Sequence, residues 1–338
     1  MKAIGYTTSS TGAPAESLRD LDIEKPRALA RDLLIEIKAI SVNPRDIKVR
    51  RSEAASDQAP RVLGWDAAGI VREVGPDVQH YKVGDEVFYA GDMRRAGTYA
   101  QYHLVDERIV GLKPVSLDWE AAAALPLTGL TAYEMLFDRL GLTQGAEQHR
   151  NVFILGGAGG VPSMAIQLAR QLTGATVVAT ASRPESRQWV LDMGAHHVID
   201  HTQDLAPQFS ALGVGQANFV FTTHTDANVW RNLAKLMAPQ GRLGLIDDPE
   251  PLDLRVMKAK SVSIHWESMF TRSAFETDDM GRQREILNHI AALADKQVLR
   301  STLGERYGLI CAANIIRAHK AIEGGRVRGK ITLTGFPD

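Results

Sequence analysis

The sequence has a single cysteine, Cys311, in 338 residues. One thiol excludes an intrachain disulfide framework and fits a reducing compartment. Set among Leu309, Ile310, Ala312 and Ala313, it reads as core packing rather than as a nucleophile. Long apolar runs are also lacking, so no segment is long enough to span a bilayer. The start, Met1-Lys-Ala-Ile-Gly5, has no apolar core of the signal-peptide kind, and the expectation is a cytoplasmic protein. Charge of one sign is missing too: 39 Lys and Arg face 40 Asp and Glu, giving −1, so neither nucleic acid nor a membrane is expected as partner. A local basic group, Arg45, Lys48, Arg50 and Arg51, reads as a solvated face. With 44% hydrophobic and 23% charged residues the composition is that of an ordinary globular protein, long enough for two domains with separate cores. No internal repeat or low-complexity segment is evident.

Glycine, by contrast, is concentrated where it carries meaning. Asn151-Val-Phe-Ile-Leu-Gly-Gly-Ala-Gly-Gly-Val-Pro162 runs an apolar strand into a glycine turn. From Val161, apolar residues recur at Met164, Ala165, Leu168, Ala169 and Leu172, the spacing of a helix with one buried face. A strand, a turn of Gly156, Gly157, Gly159 and Gly160, and a helix N-terminus together form a place for a pyrophosphate. The glycines allow a tight turn and a close backbone approach, while the helix dipole favours negative charge. The third glycine of the dinucleotide fingerprint is replaced by Pro162. Proline is tolerated in a first helical turn but removes one N–H from the phosphate site.

Further strands at Thr176 to Ala181, His197 to Asp200, Asn218 to Phe221 and Arg242 to Ile246 alternate with helices at Glu185 to Met193 and Asn228 to Met237. That alternation predicts a doubly wound parallel sheet whose strand carboxyl ends form the ligand crevice. In NAD-binding sheets a carboxylate after the second strand holds the ribose 2′-OH. Here the segment is Ala181-Ser-Arg-Pro-Glu-Ser-Arg187, with Ser182 and Arg183 at the strand end and no acid before Glu185. The reading is NADPH, with a solvated helix start as the alternative for Arg183 and Arg187. The first 120 or so residues differ. Short alternating strands such as Leu33 to Ala39 and Gly69 to Val74, broken at Gly75-Pro-Asp77 and Val83-Gly-Asp-Glu-Val87, give an all-β, barrel-like pattern. The C-terminal part adds helices at Gln283 to Asp295 and Ala312 to Glu323 and a strand at Lys330 to Thr334.

Several ordered motifs carry a family likeness. They are Ser41-Val-Asn-Pro-Arg-Asp46, Leu63-Gly-Trp-Asp-Ala-Ala-Gly-Ile-Val71, Val83-Gly-Asp-Glu-Val87, Ala121 to Pro126 followed by Leu127-Thr-Gly-Leu-Thr-Ala-Tyr133, the glycine turn, Ser182-Arg183-Pro184, Ala238 to Asp248, and Gly329-Lys330. With them the chain resembles the medium-chain dehydrogenase/reductase superfamily, in its branch of quinone oxidoreductases and zinc-type alcohol dehydrogenase-like proteins. The resemblance implies an α/β fold: a GroES-like β-barrel catalytic domain from residues 1–124 and 267–338, and an inserted Rossmann NADP-binding domain from 125–266. A homodimer is implied at family level.

Zinc alcohol dehydrogenases of the superfamily hold their metal with two cysteines and a histidine. Laying the motifs on this chain puts Asn43, Trp65 and Ala124 at those places, and none is a good zinc ligand. The expectation is a metal-free protein. Without a Lewis acid, hydride transfer suits a quinone or α,β-unsaturated carbonyl, whose charge delocalises, better than a plain ketone or alcohol.

Roles follow the resemblance. Asn43 and Thr128 are the catalytic candidates, with an Asx turn before Pro44 and a helix N-cap as their respective structural alternatives. Asp46 and Lys48 are either a proton-relay pair or an exposed ion pair, and Tyr133 is either an acid or a core aromatic. For NADPH the candidates are Gly157, Gly159, Gly160, Val161, Ser182, Arg183, His201 (adenine stacking or a surface imidazole), Thr223, Ile246 and Lys330. Trp65, Trp266, Met269 and Phe270 are either an apolar pocket wall or ordinary core. Two functions from different classes follow: an NADPH-dependent quinone or enone reductase, and an NADPH-binding sensor or structural protein with little turnover. A zinc alcohol dehydrogenase is third.

Overall fold

The computed structural model describes residues 1–7 and 11–337. Its strands and helices are numbered along the chain. The first part holds β1 (Lys2–Tyr6), β2 (Arg19–Asp22), β3 (Asp32–Val42), α1 (Pro44–Ser52), β4 (Arg61–Val62), β5 (Asp66–Val74), β6 (Glu86–Tyr89), β7 (Tyr102–Asp106), β8 (Val110–Leu112), α2 (Trp119–Ala123) and α3 (Pro126–Tyr133). Next come β9 (Asn151–Ile154), α4 (Gly160–Leu172), β10 (Thr176–Thr180), α5 (Pro184–Asp192), β11 (His197–Ile199), α6 (Leu205–Ala211), β12 (Ala217–Thr222), α7 (Ala227–Leu236), β13 (Met237–Leu245), α8 (Arg255–Lys258) and β14 (Ser263–Trp266). The return holds α9 (Thr271–Ala274), α10 (Arg282–Asp295), β15 (Leu303–Arg306), α11 (Ala312–Glu323) and β16 (Lys330–Thr334).

The chain divides into two compact units, Met1–Leu130 with Phe270–Asp338, and Thr131–Met269. The sequence places the boundaries a few residues earlier, before α3 rather than inside it. In the first unit a seven-stranded sheet runs β15-β16-β3-β5-β6-β8, with β7 also on β3, and a three-stranded sheet runs β2-β1-β4. The long β3 pairs antiparallel with β5, β7 and β16, so it brings the C-terminal strand beside residues from the first half of the chain. Buried and partly exposed residues alternate along β3 only over residues 35–39, the period-2 pattern visible in the sequence, and residues 33–35 and 39–42 are continuously buried.

The second unit is a six-stranded parallel sheet of order β11-β10-β9-β12-β13-β14. Strand order reverses between β9 and β12, the switch point at which such sheets bind ligands outside their carboxyl ends. Its core joins Phe153, Val178, Ile199, Phe209, Val220, Trp230 and Leu243. Helix α4 buries Met164, Ala165, Leu168 and Ala169, as its spacing predicts. The expected helix from Asn228 to Met237 and the strand from Arg242 meet differently. Strand β13 already begins at Met237 and carries Ala238-Pro-Gln-Gly241 in an irregular stretch, with Gln240 at φ 60° and a register shift against β12. Proline and a positive φ are tolerated there because the bulge needs no regular ladder donor.

Two composition-level readings are corrected. Arg50, expected on a solvated face, is 1% exposed. Cys311 is half-buried at the N-cap of α11 rather than packed in the core. Among the described residues no helix is long and apolar enough to cross a membrane.

Candidate functional site

In the parallel-sheet unit the turn after β9 is clamped from both neighbouring strands. Gly156 N–H donates to Thr180 Oγ1 of β10 at 2.9 Å, and Gly157 N–H donates to the Thr180 carbonyl at 3.1 Å. Thr223 Oγ1, just past β12, donates to the Leu155 carbonyl at 3.3 Å. Gly156 has φ 80°, and a Cβ there would stand 2.6 Å from Thr223 Oγ1. Glycine is therefore required both by conformation and by space. Gly159 is the N-cap of α4, which leaves the N–H groups of Gly160 and Val161 without acceptors inside the helix. Pro162, the third helical residue, has no N–H to add. A narrow cradle of two helical donors and a glycine backbone at a switch point fits a pyrophosphate.

Ser182 and Arg183 lie between β10 and α5, where a selecting carboxylate would stand. Arg183 is exposed and is the N-cap of α5; its N–H donates to Ser186 Oγ at 3.2 Å. Arg187 does other work, donating to the Ala181 and Val198 carbonyls at 3.2 and 3.0 Å and so tying β10 to β11. His201 is exposed in the turn after β11. Ile246 follows β13 and is half-buried. Beside it Asp247 accepts from Thr225 N–H at 2.5 Å and from Thr225 Oγ1 at 3.3 Å.

In the barrel unit the expected site residues meet at a buried polar junction. Asn43, 1% exposed, caps α1 and turns its side chain inward. Its Nδ2 donates to Asp66 Oδ2 at 2.8 Å, and its Oδ1 accepts from the Lys330 ammonium. Lys330 Nζ also donates to the Val42 carbonyl at 2.9 Å and lies 3.1 Å from Asp66 Oδ2. The other oxygen, Asp66 Oδ1, accepts the Leu127 N–H at 2.7 Å. Asp66 therefore caps α3 from 61 residues away. Burial raises the Asp66 carboxyl above its ordinary range, while Lys330, Asn43 and the Leu127 N–H pull it back. Thr128 is no N-cap. It lies in the first turn of α3, buried, with Oγ1 turned back on the Ala124 and Leu125 carbonyls at 3.3 and 3.2 Å.

A second buried chain adjoins the first at the start of α1. Asp46 Oδ2 accepts from Asn43 N–H at 2.9 Å and from Tyr99 Oη at 2.6 Å, while Asp46 Oδ1 has no partner. Tyr99 Oη lies 3.4 Å from His319 Nε2, and Arg50 reaches His319 Nδ1 at 2.6 Å and Glu323 beyond it. Burial pushes the Asp46 carboxyl up to about 7 despite the Tyr99 and Asn43 bonds, and burial with Arg50 pushes His319 down to about 3. Asp46 is thus a buried cap residue rather than half of an exposed ion pair with Lys48, because its helix position turns it into the barrel. Arg50 contributes a strut between α1 and α11 instead of a solvated face.

Trp65 and Phe270 pack edge to face with ring centroids 6.1 Å apart, both buried in the barrel unit. Met269 is buried, whereas Trp266, at the end of β14 in the other unit, is 58% exposed. Tyr133 is core, its hydroxyl accepting from Gln144 Nε2 at 2.9 Å.

A zinc ion does not fit the three ligand places. Trp65 offers an indole N–H, a donor with no lone pair for a metal, and that N–H has no partner in the fold. Ala124 offers a methyl group, and the Asn43 carbonyl oxygen already faces an ammonium. No group of three or more His, Cys, Asp or Glu that could hold a metal occurs among the described residues.

Sequence reasoning misses Asp66, Thr180, Tyr99 and His319 as site-building residues. For Asp66 a signal exists: it is a lone carboxylate in the otherwise apolar run Trp65 to Val71. The others are brought in only by long-range packing.

Two family models match the chain, the alcohol dehydrogenase GroES-like domain over residues 30–115 and the zinc-binding dehydrogenase over 160–281. A zinc-type alcohol dehydrogenase-like protein of Staphylococcus aureus is 35% identical over 336 residues, 98% of this chain and 99% of that one. An Arabidopsis thaliana NADPH-dependent alkenal/one oxidoreductase is 37% identical over 192 residues, 54% of this chain and 48% of that protein. Among solved structures, a Rhizobium etli protein named provisionally as a zinc-dependent alcohol dehydrogenase superposes with TM-score 0.94 at 51% identity, covering 100% of this chain and 99% of its own.

Proposed function

Because the chain belongs to the medium-chain dehydrogenase/reductase superfamily, in its quinone oxidoreductase and zinc-type alcohol dehydrogenase-like branch, we propose that it is an NADPH-dependent reductase of quinones or α,β-unsaturated carbonyls. The observation that carries this reading is the donor set: an engaged amide, an indole and a methyl group stand at the metal-ligand places, with a lysine ammonium against the amide. A localised alkoxide would lack a Lewis acid among these residues, whereas an enolate or a quinol anion spreads its charge through conjugation. The nicotinamide supplies the hydride when bound, and the protein orients it and excludes water. Gly160 and Val161 N–H groups receive the pyrophosphate, and Arg183 with Ser182 receives the 2′-phosphate that no carboxylate there repels. The Arabidopsis relative, whose name states both NADPH and alkenal or enone substrates, supports the same assignment.

One observation favours a second reading, NADPH binding with little turnover: the polar atoms of Asn43 and Thr128 are engaged within the chain, leaving no dedicated donor at either. Steady-state assays with NADPH on a panel of ortho-quinones, enones and simple alcohols separate the readings. The reductase consumes NADPH with a quinone or an enone and fails to oxidise primary or secondary alcohols with NADP. Robust alcohol oxidation in metal-free buffer refutes the proposed chemistry, and tight NADPH binding with inactivity on the whole panel selects the sensor.

A further inference from the structure

Lys330 is the first residue of β16, and its side chain is almost wholly buried, with 4% of its surface exposed. Its ammonium is surrounded by three oxygens from three parts of the barrel unit: the Val42 carbonyl closing β3, Asn43 Oδ1 at the cap of α1, and Asp66 Oδ2 opening β5. A backbone carbonyl, an amide oxygen and a carboxylate converging on one buried positive charge are what a cation-binding pocket offers, with the cation here tethered to the chain. The arrangement also removes any ambiguity in the Asn43 amide. An ammonium has only donors and a carboxylate only acceptors, so flipping the amide would set NH₂ against NH₃⁺ and C=O against COO⁻. Asp66, held by Lys330 on one oxygen, holds the N-terminus of α3 on the other.

We propose that Lys330 is a positioning residue, a tethered internal cation that orients Asn43 and Asp66 and thereby fixes the start of α3 with Thr128, rather than a contact to the cofactor. Its effect on turnover rests on the reductase reading; its effect on stability and on small cations does not. Lys330→Ala leaves three unneutralised oxygens around a cavity the size of the lost side chain. That cavity accepts a small ammonium bearing N–H donors and refuses one without them.

The experiment measures thermal unfolding, NADPH dissociation constant and kcat for wild type and Lys330→Ala, each with added methylammonium or tetramethylammonium. The expected result is a midpoint lower by about 10 °C, as for breaking a buried ion pair. NADPH affinity stays within about twofold, since the parallel-sheet unit is untouched, and kcat falls by about tenfold or more. Methylammonium at roughly 100 mM raises the variant midpoint and kcat and leaves wild type unchanged, by linkage to binding; tetramethylammonium does neither. An unchanged midpoint with an NADPH dissociation constant raised about tenfold would make Lys330 a cofactor contact and overturn the proposal. Equal action of the two ammonium ions also overturns it. Where Lys330→Ala fails to accumulate, growth with methylammonium must recover soluble protein, and no recovery counts against the tethered cation. The neutral pair Lys330→Met with Asp66→Asn folds and shows no ammonium response. Absence of quinone and enone turnover in wild type refutes the reductase reading alone, because the unfolding and affinity results stand without it.

Discussion

Asp46→Asn should change how stability depends on pH while leaving the fold intact. The carboxyl is fully buried and its pKa is raised from 3.8 to about 7. At 1.36 kcal/mol per pKa unit this corresponds to an upper value of about 4 kcal/mol. The sign follows from proton counts. Between pH 4 and 7 the folded chain holds a proton on Asp46 that the unfolded chain has released, so stability falls as pH rises through that window and the full penalty is present above it. Asparagine cannot ionise. It places an NH₂ where Asp46 Oδ1 has no partner, a cost of about 1–3 kcal/mol that does not vary with pH. The variant's stability relative to wild type should therefore climb by about 2–4 kcal/mol from pH 4 to pH 8, whatever its offset. His319 and His103, held neutral with values near 3 and 4, act oppositely by losing stability as pH falls below their unfolded range, but both proteins carry them. Urea unfolding at a series of pH values measures the difference curve, and carbon-13 NMR of aspartate carboxyls should show one group titrating near 7 in wild type only. Parallel stability curves, or a variant advantage that shrinks as pH rises, would refute the reasoning about Asp46.

Three other outcomes are expected. Arg183→Ala should weaken NADPH by about 10- to 100-fold, the scale of a charge-assisted bond, while NADH changes little; equal loss for both would make Arg183 a helix-start residue only. Gly156→Ala forces a side chain into φ 80° and against Thr223 Oγ1, so NADPH affinity should drop about tenfold or more, and Thr223→Ala should recover part of it by removing the clash. Gly64→Ala should destabilise the barrel unit by about 3 kcal/mol or more, read as a lowered unfolding midpoint, because its φ is 90° and a Cβ would stand 2.2 Å from the Tyr99 ring.

The glycine turn and the strand and helix that flank it were legible in the sequence because their parts are local. The apolar strand, the glycine turn, the helix spacing from Val161 and the missing acid at 182–183 lie in one stretch of chain, and periodicity with glycine placement reports directly on backbone geometry. Helix Ala312–Glu323 and strand Lys330–Thr334 fell where their patterns put them for the same reason. What the tertiary structure alone decided is the fate of the polar side chains. In the sequence Asn43 reads as a catalytic amide or an Asx turn, Asp46 as half of a proton relay or of an exposed ion pair, Arg50 as a solvated charge, and Lys330 as a late contact to the cofactor. Packing β16 against β3 and α11 against α1 turned all four inward. A charged side chain in water and the same side chain in a barrel interior are identical as letters. The difference is made by partners such as Asp66 for Lys330 and His319 for Arg50, which lie hundreds of residues away along the chain and within hydrogen-bonding distance in the fold.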